Sequence, residues 1–265
     1  MLIMITNKCN EMCPHCMECS NPQGAQIDER TFIKAVKFAE YIGCINITVS
    51  GGEPTLHPQF YEFCKQLQFK FDKMFTICSN GTWVTDQEKI KMMERVRGFS
   101  NCVGIQVYTN KLFYKDYELV KANESLFKQI GCTFEESEIR AMKDLGRAKS
   151  NEIAQKMNDE SKYFQSCLNA SLAGKQAKRP HDYGFILETL SHQFCHPMVD
   201  FNGNVHLSES WLCQSVGNVV DDQFADIWQN IVNFTPCRKC KDFQRFMNES
   251  TRQSDIAIAR IVLGL

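Results

Sequence analysis

Four cysteines fall within the stretch CNEMCPHCMEC at residues 9–19, and four more, Cys195, Cys213, Cys237 and Cys240, gather toward the other end of the chain. Thiolates are soft ligands, suited to zinc or iron-sulfur sites. Cys9, Cys13 and Cys16 have the spacing C-x3-C-x2-C. Three thiolates so spaced can hold three irons of a cubane 4Fe-4S cluster and leave the fourth iron without a protein ligand, free to bind something else. Zinc is the other reading, because Cys13 with Cys16, and Cys16 with Cys19, each form a C-x2-C pair. Spacing alone leaves both open.

The remaining six of the fourteen cysteines stand alone. Cys44, Cys64, Cys78 and Cys102 lie in apolar strand or helix contexts and read as core, since free cysteine is a small and commonly buried hydrophobe. Cys132 and Cys167 receive no assignment. So many thiols, with no basic and apolar leader at the start, suit a reducing, cytoplasmic setting and argue for metal ligation over disulfides.

The elements that must position these groups follow from hydrophobic periodicity. LIMIT at 2–6 reads as a strand that ends just before Cys9. Residues 27–43 read as a helix with Asp28 as N-cap, an apolar stripe of Phe32, Ala35, Val36 and Ala39, and Gly43 as stop. INITVS at 45–50 alternates as a strand does and runs into GGEP. A helix over about 58–69, a strand at 73–79, a helix over about 85–97 and a strand at 102–109 complete a β/α alternation that implies a parallel sheet. Beyond 110 a helix then strand at LFKQIGCTFEESEIR is weaker, and the polar run after it reads as loop or helix. FNGN at 201–204, flanked by extended runs, reads as a hairpin turn.

The chain has 265 residues, 43% hydrophobic and 23% charged, with a formal net charge of -1. That is the composition of an ordinary folded protein, and it implies no nucleic-acid partner. The longest apolar runs fall short of the roughly 18 residues that a membrane span requires, so no membrane partner is expected either.

C-x3-C-x2-C after the first strand, followed by Gly-Gly-Glu-Pro at the end of the second, resembles the radical S-adenosylmethionine (SAM) superfamily. The resemblance implies a partial (β/α)6 TIM-like barrel over residues 1–182. It implies that Cys9, Cys13 and Cys16 ligate a 4Fe-4S cluster whose open iron is chelated by SAM, and that Cys19 is surplus. Gly51, Gly52 and Glu53 would line the methionine amino group, with Asn80 nearby. Gln106 or Thr109 would take the place of the usual ribose contact, and Arg147 in LGRA would meet a carboxylate. Such enzymes cleave SAM reductively to a 5'-deoxyadenosyl radical that abstracts a substrate hydrogen.

Residues 183–265, with Cys195 and Cys213 around the hairpin, a Trp-bearing helix and CRKC at 237–240, resemble the twitch domain, the short form of the SPASM extension. That resemblance implies an auxiliary 4Fe-4S cluster on Cys195, Cys213, Cys237 and Cys240. Four thiolates leave it no open iron, which suits electron transfer from a substrate radical. The expected enzyme is therefore an oxidoreductase acting on a small molecule, with a flavodoxin- or ferredoxin-type electron donor. Maturation of a ribosomally made peptide is a second expectation, disfavoured because the chain starts so close to Cys9. A non-catalytic zinc protein is a third, and leaves GGEP unexplained. No acid/base residue is identified. His15 is expected to pack against the cysteine loop, and His57, His181, His192, His196 and His206 to be structural or surface groups.

Overall fold

The computed structural model describes residues 1–136, 145–152, 166–191, 197–208 and 210–235. Its first half follows the expected alternation: β1 (Leu2–Thr6), α1 (Glu29–Tyr41), β2 (Asn46–Gly51), α2 (Phe60–Phe69), β3 (Met74–Ser79), α3 (Gln87–Arg97) and β4 (Cys102–Thr109). Then come α4 (Tyr117–Ala122), α5 (Glu124–Ile130) and β5 (Thr133–Glu136). Asp28 caps α1 as expected, its carboxylate accepting from the Thr31 N–H at 2.7 Å. Phe32, Ala35, Val36 and Ala39 of that helix are fully buried, and Phe32 stacks on Phe63 of α2 with ring centroids 4.1 Å apart. Gly131, at φ 86°, turns α5 into β5.

Strands β1 to β5 are parallel neighbours in chain order. Phe75 and Ile77 of β3 and Ile105 and Val107 of β4 are buried, while Thr76, Cys78, Gln106 and Tyr108 alternate with them on the opposite face. The sheet is therefore open and half-polar on one side, an arrangement that fits the expected partial TIM-like barrel. Cys44, Cys64 and Cys102 are core residues as expected, and so is Cys132. Cys78 differs: strand register puts it on the less covered face, where its thiol lies 3.4 Å from Gln106 Oε1.

In the second half, α6 (Ser166–Gln176) and α7 (Asp182–Ser191) precede β6 (Met198–Val199), β7 (Asn204–His206), β8 (Ser215–Asn218) and α8 (Phe224–Val232). The hairpin expected at FNGN is β6–β7, with Gly203 at φ 87°. It joins the sheet at the free side of β1, with β6 parallel to β1, so one eight-stranded sheet runs β5-β4-β3-β2-β1-β6-β7-β8. Phe224 of α8 meets Phe38 of α1 with ring centroids 5.4 Å apart, and Trp228 meets Tyr183 of α7 at 5.8 Å. The segment expected as an appended unit thus shares sheet and apolar core with the barrel over its described residues.

The hairpin is held by a buried charge. Asp200, 1% exposed, accepts from the backbone N–H groups of Asn202 (2.8 Å) and Asn204 (3.0 Å) and lies 3.0 Å from His206 Nε2. His206 Nδ1 faces the Cys213 carbonyl at 3.0 Å. Burial pushes the Asp200 carboxyl up, but its hydrogen bonds to His206 and the two asparagines outweigh burial and hold it below the ordinary value. A depressed carboxyl stabilises the fold above its unfolded pKa, and that stability is lost as the pH falls through the folded value. Replacing Asp200 with Ala leaves the Asn202 and Asn204 N–H groups and the His206 ring buried without this acceptor, and urea unfolding at neutral pH is expected to show a loss of about 2–4 kcal/mol. An Asp200→Ala protein as stable as the parent would contradict this reading.

Candidate active site

The cysteine-rich loop leaves the C-terminal end of β1 and has no regular secondary structure, so its backbone groups must find partners in other segments. It closes on itself at its base. Asn7 N–H donates to the Ala25 carbonyl at 2.8 Å, Cys9 N–H to Asn21 at 2.9 Å, and Ser20 Oγ to Asn7 Oδ1 at 2.6 Å. The GGEP turn after β2 supplies the next support. Gly52 N–H donates to the Thr6 carbonyl and Glu53 N–H to Lys8, both at 2.8 Å.

The two glycines have a packing reason. A Cβ on Gly51 would overlap the Thr6 carbonyl, and one on Gly52 would overlap the Lys8 carbonyl and stand 2.8 Å from Cys9 Cβ. Side chains at either position would push the cysteine loop off the sheet. Glu53 is fully buried and its carboxylate turns into the protein. It accepts from Thr55 N–H (3.1 Å), Thr55 Oγ1 (2.6 Å), Ser79 Oγ (3.0 Å) and Asn80 N–H (2.8 Å), tying the end of β2 to the end of β3. Burial pushes this carboxyl up, and the donors pull against that shift.

Asn80 follows β3 and is clamped in turn: its Oδ1 accepts from Thr82 N–H at 3.0 Å, and its Nδ2 donates to Asn10 Oδ1 at 3.1 Å and lies 3.9 Å from Cys9 Sγ. Arg147 sits in a short 3-10 turn at Gly146–Ser150 and donates to carbonyls of the cysteine loop. Gln106 accepts from Tyr108 OH at 2.9 Å.

These elements surround a cavity of about 340 Å³, within the usual range for ligand pockets. Of the residues named from sequence, Cys9, Cys13, Cys16, Gly51, Gly52, Asn80 and Arg147 line it. Glu53 lies behind its wall and Gln106 reaches it only through Tyr108. Glu11, Glu18, Tyr108 and Tyr114 also line the cavity and were not found from sequence. The only available signal was position: Tyr108 stands one residue before the end of β4, on the face that carries Gln106.

Acidic and thiol side chains dominate the cavity wall, and its first two cysteines are buried. Cys9 and Cys13 are less than a tenth exposed, and burial pushes the Cys9 thiol up to about 11 and the Cys13 thiol further. Burial also pushes the Glu11 carboxyl up. His15, expected to pack against the cysteine loop, instead packs its ring on Phe113 and Tyr114 of a different segment, with ring centroids 4.4 and 5.8 Å away. Burial, and then the Arg147 guanidinium, push His15 down to about 4, so the ring is neutral at physiological pH. His57 is structural, with Nε2 at 2.9 Å from the Ile27 carbonyl and Nδ1 accepting from Gln59 N–H at 3.0 Å.

Among the described residues, no three His, Cys, Asp or Glu side chains converge as a mononuclear metal site requires. A cubane cluster makes a different demand, one thiolate on each of three separate irons, and Cys9, Cys13 and Cys16 are three thiols that border this one cavity. The loop bearing Cys213 docks beside them, with Trp211 Nε1 donating to the Glu18 carbonyl at 3.0 Å. Cys195, Cys237 and Cys240 lie outside the described residues, as do His192 and His196. No helix among the described residues is long and apolar enough to cross a membrane.

Residues 3–126 match the family model of the radical SAM superfamily. The protein YydG of Bacillus subtilis (strain 168), named for peptide biosynthesis, is 25% identical over 130 residues, 48% of this chain and 39% of that protein. An S-adenosylmethionine-dependent nucleotide dehydratase of a Thermoplasmatales archaeon (strain ISO4-H5) is 33% identical over 113 residues, 40% of this chain and 36% of that protein. The matches thus span about two fifths of these curated relatives. The crystal structure of BtrN with AdoMet and 2-DOIA has the same fold, with a TM-score of 0.55 at 12% identity over 94% of this chain and 88% of that one. That of anSMEcpe with AdoMet and a Cp18Cys peptide gives 0.52 at 14% identity, over 98% and 95%. The segment 3–126, with its cysteine loop and GGEP turn, belongs to the radical SAM superfamily.

Truncating Glu53 strands two buried backbone N–H groups and the Ser79 and Thr55 hydroxyls. Glu53→Ala is expected to cost roughly 2–5 kcal/mol in urea unfolding, and Glu53→Gln, which keeps an acceptor in place, clearly less. Equal losses in the two variants would contradict the bonding described.

Proposed function

We propose that this chain, whose segment 3–126 is a radical SAM domain, binds a 4Fe-4S cluster through Cys9, Cys13 and Cys16 and uses it to turn SAM into a hydrogen-abstracting reagent. The observation that carries the reading is the set of three thiols around one cavity, backed by the two glycines that let the cysteine loop lie against β2. When bound and reduced by a flavodoxin- or ferredoxin-type donor, such a cluster supplies the electron that splits SAM into methionine and a 5'-deoxyadenosyl radical, which takes a hydrogen atom from the substrate. Gly51 and Gly52 border the cavity, and the amino end of SAM would lie beside their backbone. Asn80 holds the Cys9 side in place, and Tyr108 and Tyr114 wall the cavity. Burial of Cys9 and Cys13 keeps water from the reacting centre.

In the finer reading, Cys195, Cys213, Cys237 and Cys240 hold an auxiliary 4Fe-4S cluster in a twitch-type segment, and the enzyme is an oxidoreductase that passes an electron from the substrate radical to it. The hydrogen bond from His206 to the Cys213 carbonyl and the docking of Trp211 on Glu18 support it, because they set one of the four thiols in a loop fixed against the first set. The substrate in this reading is a small molecule, in a cytoplasmic setting. Peptide maturation is a second reading, favoured by relatives whose names carry peptide substrates, YydG and the PqqA peptide cyclase of Methylorubrum extorquens (strain PA1), which is 33% identical over 67 residues.

After anaerobic reconstitution the wild-type chain is expected to hold about eight iron and eight sulfide, or about four of each with the first cluster alone. Dithionite and SAM should then yield 5'-deoxyadenosine. Cys16→Ala should abolish that product, whereas Cys19→Ala should keep it. Stoichiometric zinc with no visible chromophore and no SAM cleavage would replace this reading with that of a structural metal protein.

A further inference from the structure

The cysteine loop has three carbonyls that its own chain neighbours leave to a distant segment. Cys13 O accepts from Arg147 Nε at 2.9 Å, Ser20 O from Arg147 Nη2 at 2.9 Å, and Cys16 O from Arg147 N–H at 2.9 Å. One residue thus reaches the second cysteine, the third cysteine and the far end of the loop. The preceding residue makes this approach possible. Gly146 adopts φ 55°, and a Cβ there would stand 2.5 Å from the Met17 carbonyl and 2.7 Å from that of Cys16. The following residue seats the turn, since Ala148 is fully buried against Phe113, with Met17 of the loop and Tyr114 packed on the pair.

We propose that Gly146-Arg147 is a latch that holds the cysteine loop in its ligand-binding shape, and that Arg147 is a positioning residue for this loop in place of a contact for a cofactor carboxylate. The guanidinium has a planar fork of donors. Two of its nitrogens, Nε and Nη2, are engaged with loop carbonyls, so its fork is turned to the backbone. A lysine has one point-like head and cannot span Cys13 and Ser20 together. The latch is made by protein atoms alone, so it can be tested without a cluster; only the identity of what the loop holds rests on the radical SAM reading.

The test compares wild type, Arg147→Gln, Arg147→Lys and Gly146→Ala, the last keeping the guanidinium while spoiling its approach. In the metal-free proteins, hydrogen-deuterium exchange of the peptide covering residues 9–21 is expected to speed up about tenfold in Arg147→Gln and in Gly146→Ala, less in Arg147→Lys, with exchange of β2 and β3 unchanged. In the iron-loaded proteins, Arg147→Gln should lose iron to a chelator about tenfold faster, while the chains that remain loaded bind SAM within about twofold of wild type. Unchanged exchange of residues 9–21 would overturn the proposal. So would unchanged cluster retention with SAM affinity lowered tenfold or more, the signature of a carboxylate contact. A variant that unfolds globally would show faster exchange in β2 and β3 as well, and Arg147→Lys then carries the comparison. A wild-type chain that takes up no iron would sink the radical SAM reading and leave the exchange result standing.

Discussion

A half-buried loop without regular secondary structure must have its inward-facing backbone polar groups satisfied by something else, and in this protein that demand organises the site. The loop after β1 finds its partners in three places: its own base, the GGEP turn after β2, and the Gly146-Arg147 turn. Each support comes from the C-terminal end of the sheet or from a turn packed upon it. The parallel register of β1, β2 and β3 brings Thr6, Gly51 and Ser79 to one level, and the Glu53 carboxylate then ties the β2 end to the β3 end. The fold acts as a rigid frame on which an irregular loop is hung.

That frame sets the electrostatics as well. Thiols, Glu11 and Glu18 face one cavity, with Glu53 buried behind it and Arg147 the cation against the loop. Burial favours the neutral forms of Cys9, Cys13 and Glu11, so binding of a metal group by these thiols would release protons. The backbone N–H groups of Glu11 and Met12 act in the opposite sense at Cys9, favouring charge on sulfur.

The barrel was legible because helix and strand periods differ and the caps were explicit: Asp28, Gly43 and the alternation through β2, β3 and β4 lie within a residue or two of where pattern placed them. The three cysteines and two glycines were legible because their spacing is local. What sequence could not give were the side chains that act at long range in the chain. Glu53 looked like a cavity residue, yet two backbone N–H groups and two hydroxyls draw its carboxylate inward. Arg147 looked like a group waiting for a carboxylate, yet its partners are carbonyls some 130 residues earlier. Tyr114 carries no motif at all, and only the folding of the 110–116 segment over the loop brings it to the cavity; Glu11 lies inside the C-x3-C spacing, as a residue that the motif leaves unspecified.

The central claim is that the loop presents an iron with a free coordination position to SAM. Electron paramagnetic resonance of the anaerobically reconstituted, dithionite-reduced protein, recorded with and without SAM, tests it most directly. The account predicts a reduced 4Fe-4S signal whose g-values shift when SAM is added, because SAM chelates the open iron. A cluster signal that SAM leaves unchanged, under conditions where SAM is bound, would contradict it.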